Sequence, residues 1–264
     1  PYICLNSPYT YNQGAVDPDG DSLAFELITP MRGVNQLMSF VPPYGVLQPL
    51  PVAPGSFSFS TLTGQIGFTP SVVGQSTVSI RVTEYRNGVR VGSIIRDIQY
   101  SVLPCTITQP EVAVVQSSLE GCTYVNGVIE ACANTPIRFC FKAVSSLSGA
   151  VLVVTDNQRD VLPGASISST GELTDSVVGC VSLNTTLADV GQKTLVVVVK
   201  DSTCNFNGIM MTQSYAIPIR IKPAISTYRR FMVCPGVPVE LAASDTGRNL
   251  TWSAFGSPLS SLSC

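Results

Sequence analysis

Residues 4–8 read Cys4-Leu5-Asn6-Ser7-Pro8, and residues 132–136 read Cys132-Ala133-Asn134-Thr135-Pro136. A looser third copy, Cys234-Pro235-Gly236-Val237-Pro238, follows later. Ala15-Val16 and Ala143-Val144 stand at the same offset behind the first two copies. Further on, Val73-Gly74-Gln75-Ser76-Thr77 leads to Glu84, and Val190-Gly191-Gln192-Lys193-Thr194 leads to Asp201 with equal spacing. Matches at both ends of a long segment mark one structural plan used more than once. They place a first domain over 1–104, a second over 105–222 and the start of a third, truncated one over 223–264.

The stretches between these landmarks read as strands. Val78, Ile80 and Val82 alternate with Ser79, Arg81 and Thr83, the period of a half-buried strand. Asn87-Gly88 follows, a two-residue hairpin signal, and Ile98, Tyr100 and Val102 then share one face of a return strand. Asn126-Gly127 marks a second hairpin, and Leu195 to Val199 reads as a strand buried on both faces. No helical spacing persists over three turns. Nineteen prolines and twenty-one glycines punctuate short segments. The expectation is an all-β chain of tandem immunoglobulin- or cadherin-like β-sandwiches. Thr29 to Phe57, rich in Pro and Gly, reads as a loop-dominated excursion.

Composition narrows the function. Of 264 residues, 45% are hydrophobic and only 12% charged, about half the usual charged share. The chain can bury real cores, and its polar surface comes from Ser, Thr, Asn and Gln. The net charge of −2 and the lack of a Lys/Arg run speak against nucleic acid and anionic membranes as partners. No apolar run is long enough to span a bilayer. The chain starts at Pro1 without a signal segment, which reads as a piece of something longer.

The nine cysteines come with no histidine and no C-x-x-C pair, so disulfides in an oxidising, extracellular compartment are expected rather than zinc. Cys140 and Cys180 fall on neighbouring strands of an immunoglobulin-type sheet and are expected to bridge. Cys122 and Cys132 flank the Asn126-Gly127 hairpin and are the preferred second pair. A strict two-residue turn would set Cys122 opposite Ala131 and point the sulfurs to opposite faces, so this bridge needs a bulge. Cys105 and Cys204 then remain for each other. Cys4 is expected to look upstream of Pro1, and Cys234 to pair with Cys264 or a later residue.

Without histidine there is no Ser–His–Asp or Cys–His nucleophile, and no phosphate loop or dinucleotide fingerprint is present. The expectation is a non-enzyme. A sugar-binding module would show exposed aromatics. Trp252 reads as a core filler, and Tyr9 and Tyr11 share a strand face that is more often a core face.

Asp17-Pro18-Asp19-Gly20-Asp21-Ser22 sets three carboxylates at alternate positions of a turn. Such a cluster repels itself unless a cation sits among its oxygens, and calcium, hard and tolerant in geometry, suits it. The alternative is a solvated turn. An EF-hand is excluded, because Ser22 and Ile28 fall where that loop needs Gly and Glu.

The segments GAVDPDGDSLAFEL, TLTGQIGFTP and VSIRVTEYRNGVRVGSIIRDIQ resemble the cadherin-like modules of very large Bacteroidota surface proteins. Among these are the SprB-like gliding-motility adhesins exported by type IX secretion. CPGVPVELAAS with LTWS resembles the immunoglobulin-like repeats of the same proteins, and the second domain matches least.

The resemblance implies a structural or adhesive repeat segment at the cell surface. Its implied partners are neighbouring domains of the same chain, surface polysaccharide or protein, and the export and motility machinery. The alternative is a carbohydrate- or protein-binding module. The resemblance also implies that Asp17, Asp19, Asp21 and Glu84 serve calcium. In the second domain Ser145 to Gly149 replaces the acidic loop, although Asp201 keeps the late acid, so no calcium is expected there. Asp-Ser pairs at Ser176 and Ser202 resemble the O-glycan sites of such proteins, and Ser22 a weaker one.

Overall fold

Asn87 and Asn126 adopt φ of 52° and 49°, and Gly88 and Gly127 follow at 78° and 81°. This is the left-handed pair that a two-residue hairpin with the right strand twist requires, and Asn and Gly tolerate it best. The computed structural model describes residues 1–17, 19–33, 36–105, 109–206, 209–223, 253–254 and 257–258. The chain divides into two units, Pro1–Pro223 and Ala224–Cys264.

The first half of Pro1–Pro223 carries strands β1 (Tyr2–Cys4), β2 (Tyr9–Tyr11), β3 (Ser22–Ile28), β4 (Met31–Gly33), β5 (Gln36–Leu37), β6 (Ser58–Phe59), β7 (Ile66–Phe68), β8 (Gly74–Arg86) and β9 (Val89–Leu103). One sheet has the order β1-β9-β8-β3, with β1 parallel to β9, and the facing sheet has the order β2-β7-β6. Among the described residues the excursion after β3 carries the small β4–β5 pair and isolated bridges from Gly45 to Gln48 and from Val52 to Pro70. The inner faces enclose a core of Ile3, Tyr9, Phe25, Ile66, Phe68, Val78, Ile80, Val82, Ile98, Tyr100 and Val102. Tyr9, Tyr11 and Phe68 meet the ring of Tyr100 edge-on, with centroids 5.1–6.1 Å away, the arrangement that ring quadrupoles favour.

The second half carries β10 (Glu111–Glu120), β11 (Cys122–Val125), β12 (Val128–Cys132), β13 (Pro136–Val144), β14 (Leu152–Asp156), β15 (Ser166–Thr170), β16 (Ser176–Asn184), β17 (Gly191–Phe206) and β18 (Ile209–Lys222). A single helical turn, α1 (Gln158–Val161), lies between β14 and β15. The sheets are β10-β13-β16-β15 and β11-β12-β18-β17-β14, with β12 parallel to β18. Leu195, Val196, Val197 and Val199 are all buried, as their unbroken apolar run suggests. Both halves therefore follow the strand plan of an immunoglobulin-type sandwich. Among the described residues β2 pairs only with β7, so it stands at an edge of its sheet. In Ala224–Cys264 the described part is one small hairpin, β19 (Ser253–Ala254) with β20 (Ser257–Pro258). Trp252 lies outside the described residues.

The repeated pentapeptide is the crossing from one sheet to the other. Cys4 ends β1 opposite Leu103, and the Leu5 N–H donates to the Leu103 carbonyl at 2.9 Å. Asn6 turns the chain at φ 59°, and its N–H donates to the Pro70 carbonyl beyond β7 at 2.9 Å. Cys132 ends β12 opposite Lys222, the Ala133 N–H donates to Lys222 at 2.8 Å, and Asn134, also at φ 59°, donates to Thr185 beyond β16 at 2.9 Å. Asn serves because its short side chain tolerates the left-handed region.

The two sandwiches share no strand, yet they pack flank to flank. Thr10 Oγ1 donates to Gln213 Oε1 at 2.9 Å, the Asn12 N–H donates to Ser214 Oγ at 2.7 Å, and Gln213 Nε2 donates to the Pro8 carbonyl at 3.2 Å. The side chain of Gln65 accepts from the Ala216 N–H. The vacant edge of β2 thus receives β18.

The cysteines differ from expectation in two places. Cys4 is bonded to Cys105, with Cα atoms 4.9 Å apart. β1 runs parallel to the end of β9, and the chain turns after Leu103 so that Cys105 comes beside Cys4. Cys4 needs no upstream partner, and Cys105 is not available to Cys204. The β11–β12 hairpin is strictly paired, Cys122 opposite Ala131 and Val125 opposite Val128, without the bulge a Cys122–Cys132 bridge needs. Both thiols are free. Cys122 Sγ donates to the Arg138 carbonyl at 3.4 Å, and burial pushes its thiol pKa up. Cys140 and Cys180 sit directly opposite on β13 and β16 and are bonded. The side chain of Cys204, together with Cys234 and Cys264, lies outside the described residues.

Candidate metal centre

The acidic turn joins β2 to β3, at the pole where β8 turns into β9. The Asp17 carbonyl accepts from the Gly20 N–H at 3.3 Å, and Asp17 Oδ1 accepts from the Asp21 N–H at 2.9 Å. Gly20 takes φ 82°, so a residue with a Cβ would strain this tight return. Glu84, near the end of β8, pairs with Leu23 at the start of β3 and so comes under the loop. Carboxylate oxygens of Asp17, Asp21 and Glu84 all lie within 4.8 Å of one another.

Asp19 is not part of that trio. It is largely exposed and faces Arg86, whose guanidinium reaches Asp19 at 3.0 Å, Asp21 at 2.7 Å and Glu84 at 4.0 Å. Alternation along the sequence places Asp19 with Asp17 and Asp21, but the turn at Gly20 directs it outward. Arg86 is the residue that sequence reasoning missed. Its signal was its place just before the Asn87-Gly88 turn, beside the end of β8.

The charges shift one another. The Arg86 guanidinium holds Asp21 below its ordinary value, through a hydrogen bond first and charge second. Glu84 is raised, chiefly because it shares a hydrogen bond with Asp21 and also faces Asp17. Two carboxylates this close favour a shared proton or a cation between them. The donor set is all oxygen, which fits a hard divalent ion, while Arg86 offers a competing positive charge.

The second sandwich shows what replaces the site. Leu23 opposes Glu84 in the first sandwich, and Leu152 opposes Asp201 in the second. Where Asp17 stands near Glu84, Ser145 stands near Asp201 and donates to it at 3.4 Å. A hydroxyl meets a carboxylate there, in place of a second carboxylate. Of the other expected site residues, Ser176 is half-buried at the start of β16. Ser202 is exposed and donates to the Val151 carbonyl at 3.1 Å.

No protein-family model matches the chain. No curated protein sequence matches it either. Among solved structures it is similar to a protocadherin gammaB7 EC3-6 cis-dimer, at 13% identity over 85% of this chain and 45% of that one, TM-score 0.27. It is also similar to human CDH23 EC21-23, at 13% identity over 85% of this chain and 72% of that one, TM-score 0.26. An endo-fucoidan hydrolase of glycoside hydrolase family 107 matches at 10% identity over 85% of this chain and 27% of its own, TM-score 0.27. The chain spans 27%, 45% and 49% of the first three such structures. Superpositions this loose carry no argument about activity or ligand. The sandwich assignment stands on the strand order itself.

Proposed function

We propose that this chain is a structural and adhesive repeat segment of an extracellular cell-surface protein, with domains at 1–104, 105–222 and from 223 onward. The observation that carries the reading is the crossing pentapeptide, built with the same bonds at Asn6 and Asn134. One module has been used twice, as in stalks that gain length by repetition. The disulfides Cys4–Cys105 and Cys140–Cys180 favour an oxidising compartment. Among the described residues no helix is long and apolar enough to cross a membrane. The resemblance of the first module to Bacteroidota gliding adhesins makes attachment or gliding the preferred role, with export by type IX secretion. Calcium held by Asp17, Asp21 and Glu84 would stiffen the β2–β3 turn. O-glycans at Ser176 and Ser202 belong to the same reading. A dedicated carbohydrate- or protein-binding module is the second reading.

The test is antibody labelling of intact source cells, joined to attachment assays of a strain with this segment deleted in frame. Surface labelling and weakened attachment are expected. Antibody that reaches the segment only after lysis would overturn the proposal. Saturable binding of the isolated chain to one glycan would favour the second reading.

A further inference from the structure

One long strand edge of the first sandwich is left open. β9 pairs with β8 along its length, but on its other side β1 covers only Ser101, Val102 and Leu103. Among the described residues nothing pairs with Val89 to Tyr100 on that side. The stretch carries neither Pro nor Lys; its charges, Arg90, Arg96 and Asp97, and its one register irregularity stand among exposed Val89, Val91, Ile94 at 58% and Ile95 at 40%.

The second sandwich treats the same edge differently. Val102 opposes Gly74 as Ile221 opposes Gly191, which places Ile94 and Ile95 at the positions of Gln213 and Ser214. There β12 covers the strand end, and polar bonds to Thr10, Asn12 and Pro8 cover its middle. The polar pair is bonded by the preceding sandwich, and among the described residues the apolar pair meets no such partner.

We infer that the open edge of β9 is a homodimer interface, in which a second copy of this chain pairs antiparallel about a two-fold axis through Ile94. Antiparallel two-fold pairing sets residues of the same sheet face opposite each other. Centred on Ile94, it stacks the two Ile94 side chains. Three positions to one side stands Asp97, opposite Ser79 on β8. Three positions to the other side stands Arg90, opposite Tyr85, because the register shift between Glu84 and Tyr85 drops one residue of β9. Ser79 and Tyr85 share a face of β8, so Arg90 and Asp97 share a face of β9. Each Arg90 then opposes the Asp97 of the other copy, twice across the axis. Gly92, with no side chain, falls opposite Arg96 and gives that long side chain room. Without the bulge Arg90 would point to the opposite face.

Sedimentation of the full chain over a concentration series should show a reversible dimer. Ile94→Asp, which sets two carboxylates against each other on the axis, should leave a monomer with an unchanged far-ultraviolet spectrum. Arg90→Asp should weaken the dimer at least tenfold, and Arg90→Asp with Asp97→Arg should restore it. Ile94→Cys should cross-link through residue 94 on mild oxidation, as peptide mapping reads, whereas Ile95→Cys should not. A monomer at all concentrations, a dimer indifferent to Ile94→Asp, or equal cross-linking at 94 and 95 would each overturn the inference.

Discussion

The Ser145 hydroxyl donates to Asp201 across 3.4 Å, and both residues are buried, Asp201 completely. A buried carboxylate keeps its place only while its hydrogen bonds are made. Ser145→Ala removes one donor and should cost about 1–3 kcal/mol. Ser145→Asp should cost more, since it recreates the crowded acid pair of the first sandwich in a drier place. Urea unfolding of both variants, against exposed Ser182→Ala as a surface control, reads the difference.

The acid trio predicts a cation response with a definite sign. Folding raises the Glu84 pKa, because Asp21 shares a hydrogen bond with it. The folded state therefore holds that proton more tightly, and stability falls as pH rises through the Glu84 titration. Folding lowers the Asp21 pKa through Arg86, so its contribution is present at neutral pH and is lost as pH falls into the acid range. Calcium would take the place of the Glu84 proton. Added calcium should raise the melting temperature at neutral pH and do little at acid pH, by mass action on the folded state. Glu84→Gln should abolish the response, and Arg86→Ala should enlarge it. A melt indifferent to calcium and chelator at neutral pH leaves Arg86 as the ion that neutralises the loop.

Much of this architecture is legible in the residues, for physical reasons that also mark where reading stops. Asn-Gly pairs specify their own hairpins, because few other residues accept two left-handed conformations in succession. Cys140 and Cys180 could be joined on paper because strand order in this fold makes their strands neighbours. Cys4 and Cys105 could not. Their contact depends on a three-residue strand running parallel to a distant one, which leaves no periodic trace. The resemblance groups Asp19 with Asp17, Asp21 and Glu84, while in the structure the close trio is Asp17, Asp21 and Glu84 and Asp19 meets Arg86. The flank contact of β2 with β18 was invisible, since it is made by Thr, Asn, Gln and Ser, residues that usually face water.

The Cys4–Cys105 bridge closes a loop with a sequence separation of 101 residues. Long loops lose the most chain entropy when cross-linked, so its loss should cost about 2–5 kcal/mol. Cys105→Ala should lower the denaturant midpoint of the first sandwich and steepen the slope, because the unlinked unfolded chain exposes more surface. Non-reducing peptide mapping should recover Cys4 with Cys105, and Cys122 and Cys132 as free thiols.

Gly179 opposes Phe141 across β16 and β13, and a Cβ there would stand 2.3 Å from the phenyl ring. Phe141 is buried, so the ring has nowhere to move without displacing its neighbours. Gly179→Ala should destabilise by about 1–3 kcal/mol through overpacking. Gly127→Ala meets no atom within 4 Å and should cost only the strain of its positive φ. Thermal melts of the two variants separate crowding from backbone strain.

Asn6 and Asn134 carry the same φ of 59° and make the same pair of crossings, so they should answer substitution alike. A left-handed residue with an ordinary Cβ costs about 1–2 kcal/mol, and glycine does not. Asn6→Ala and Asn134→Ala should therefore each destabilise by about that amount, while Asn6→Gly and Asn134→Gly should stay close to the parent. The glycine variants keep the N–H donations to Pro70 and Thr185, because those come from the backbone. Any loss they show measures the extra freedom of the unfolded chain. Differential scanning calorimetry on the four variants reads the comparison. If Asn6→Ala is costly and Asn134→Ala is silent, the second crossing is held by Thr185 and not by the turn itself: its Oγ1 lies 2.8 and 2.7 Å from the carbonyl oxygens of Cys132 and Thr135, which compete for its one proton, and accepts from the Thr135 N–H at 2.9 Å. Thr185→Val would then expose the dependence, because it removes that hydroxyl while leaving its shape.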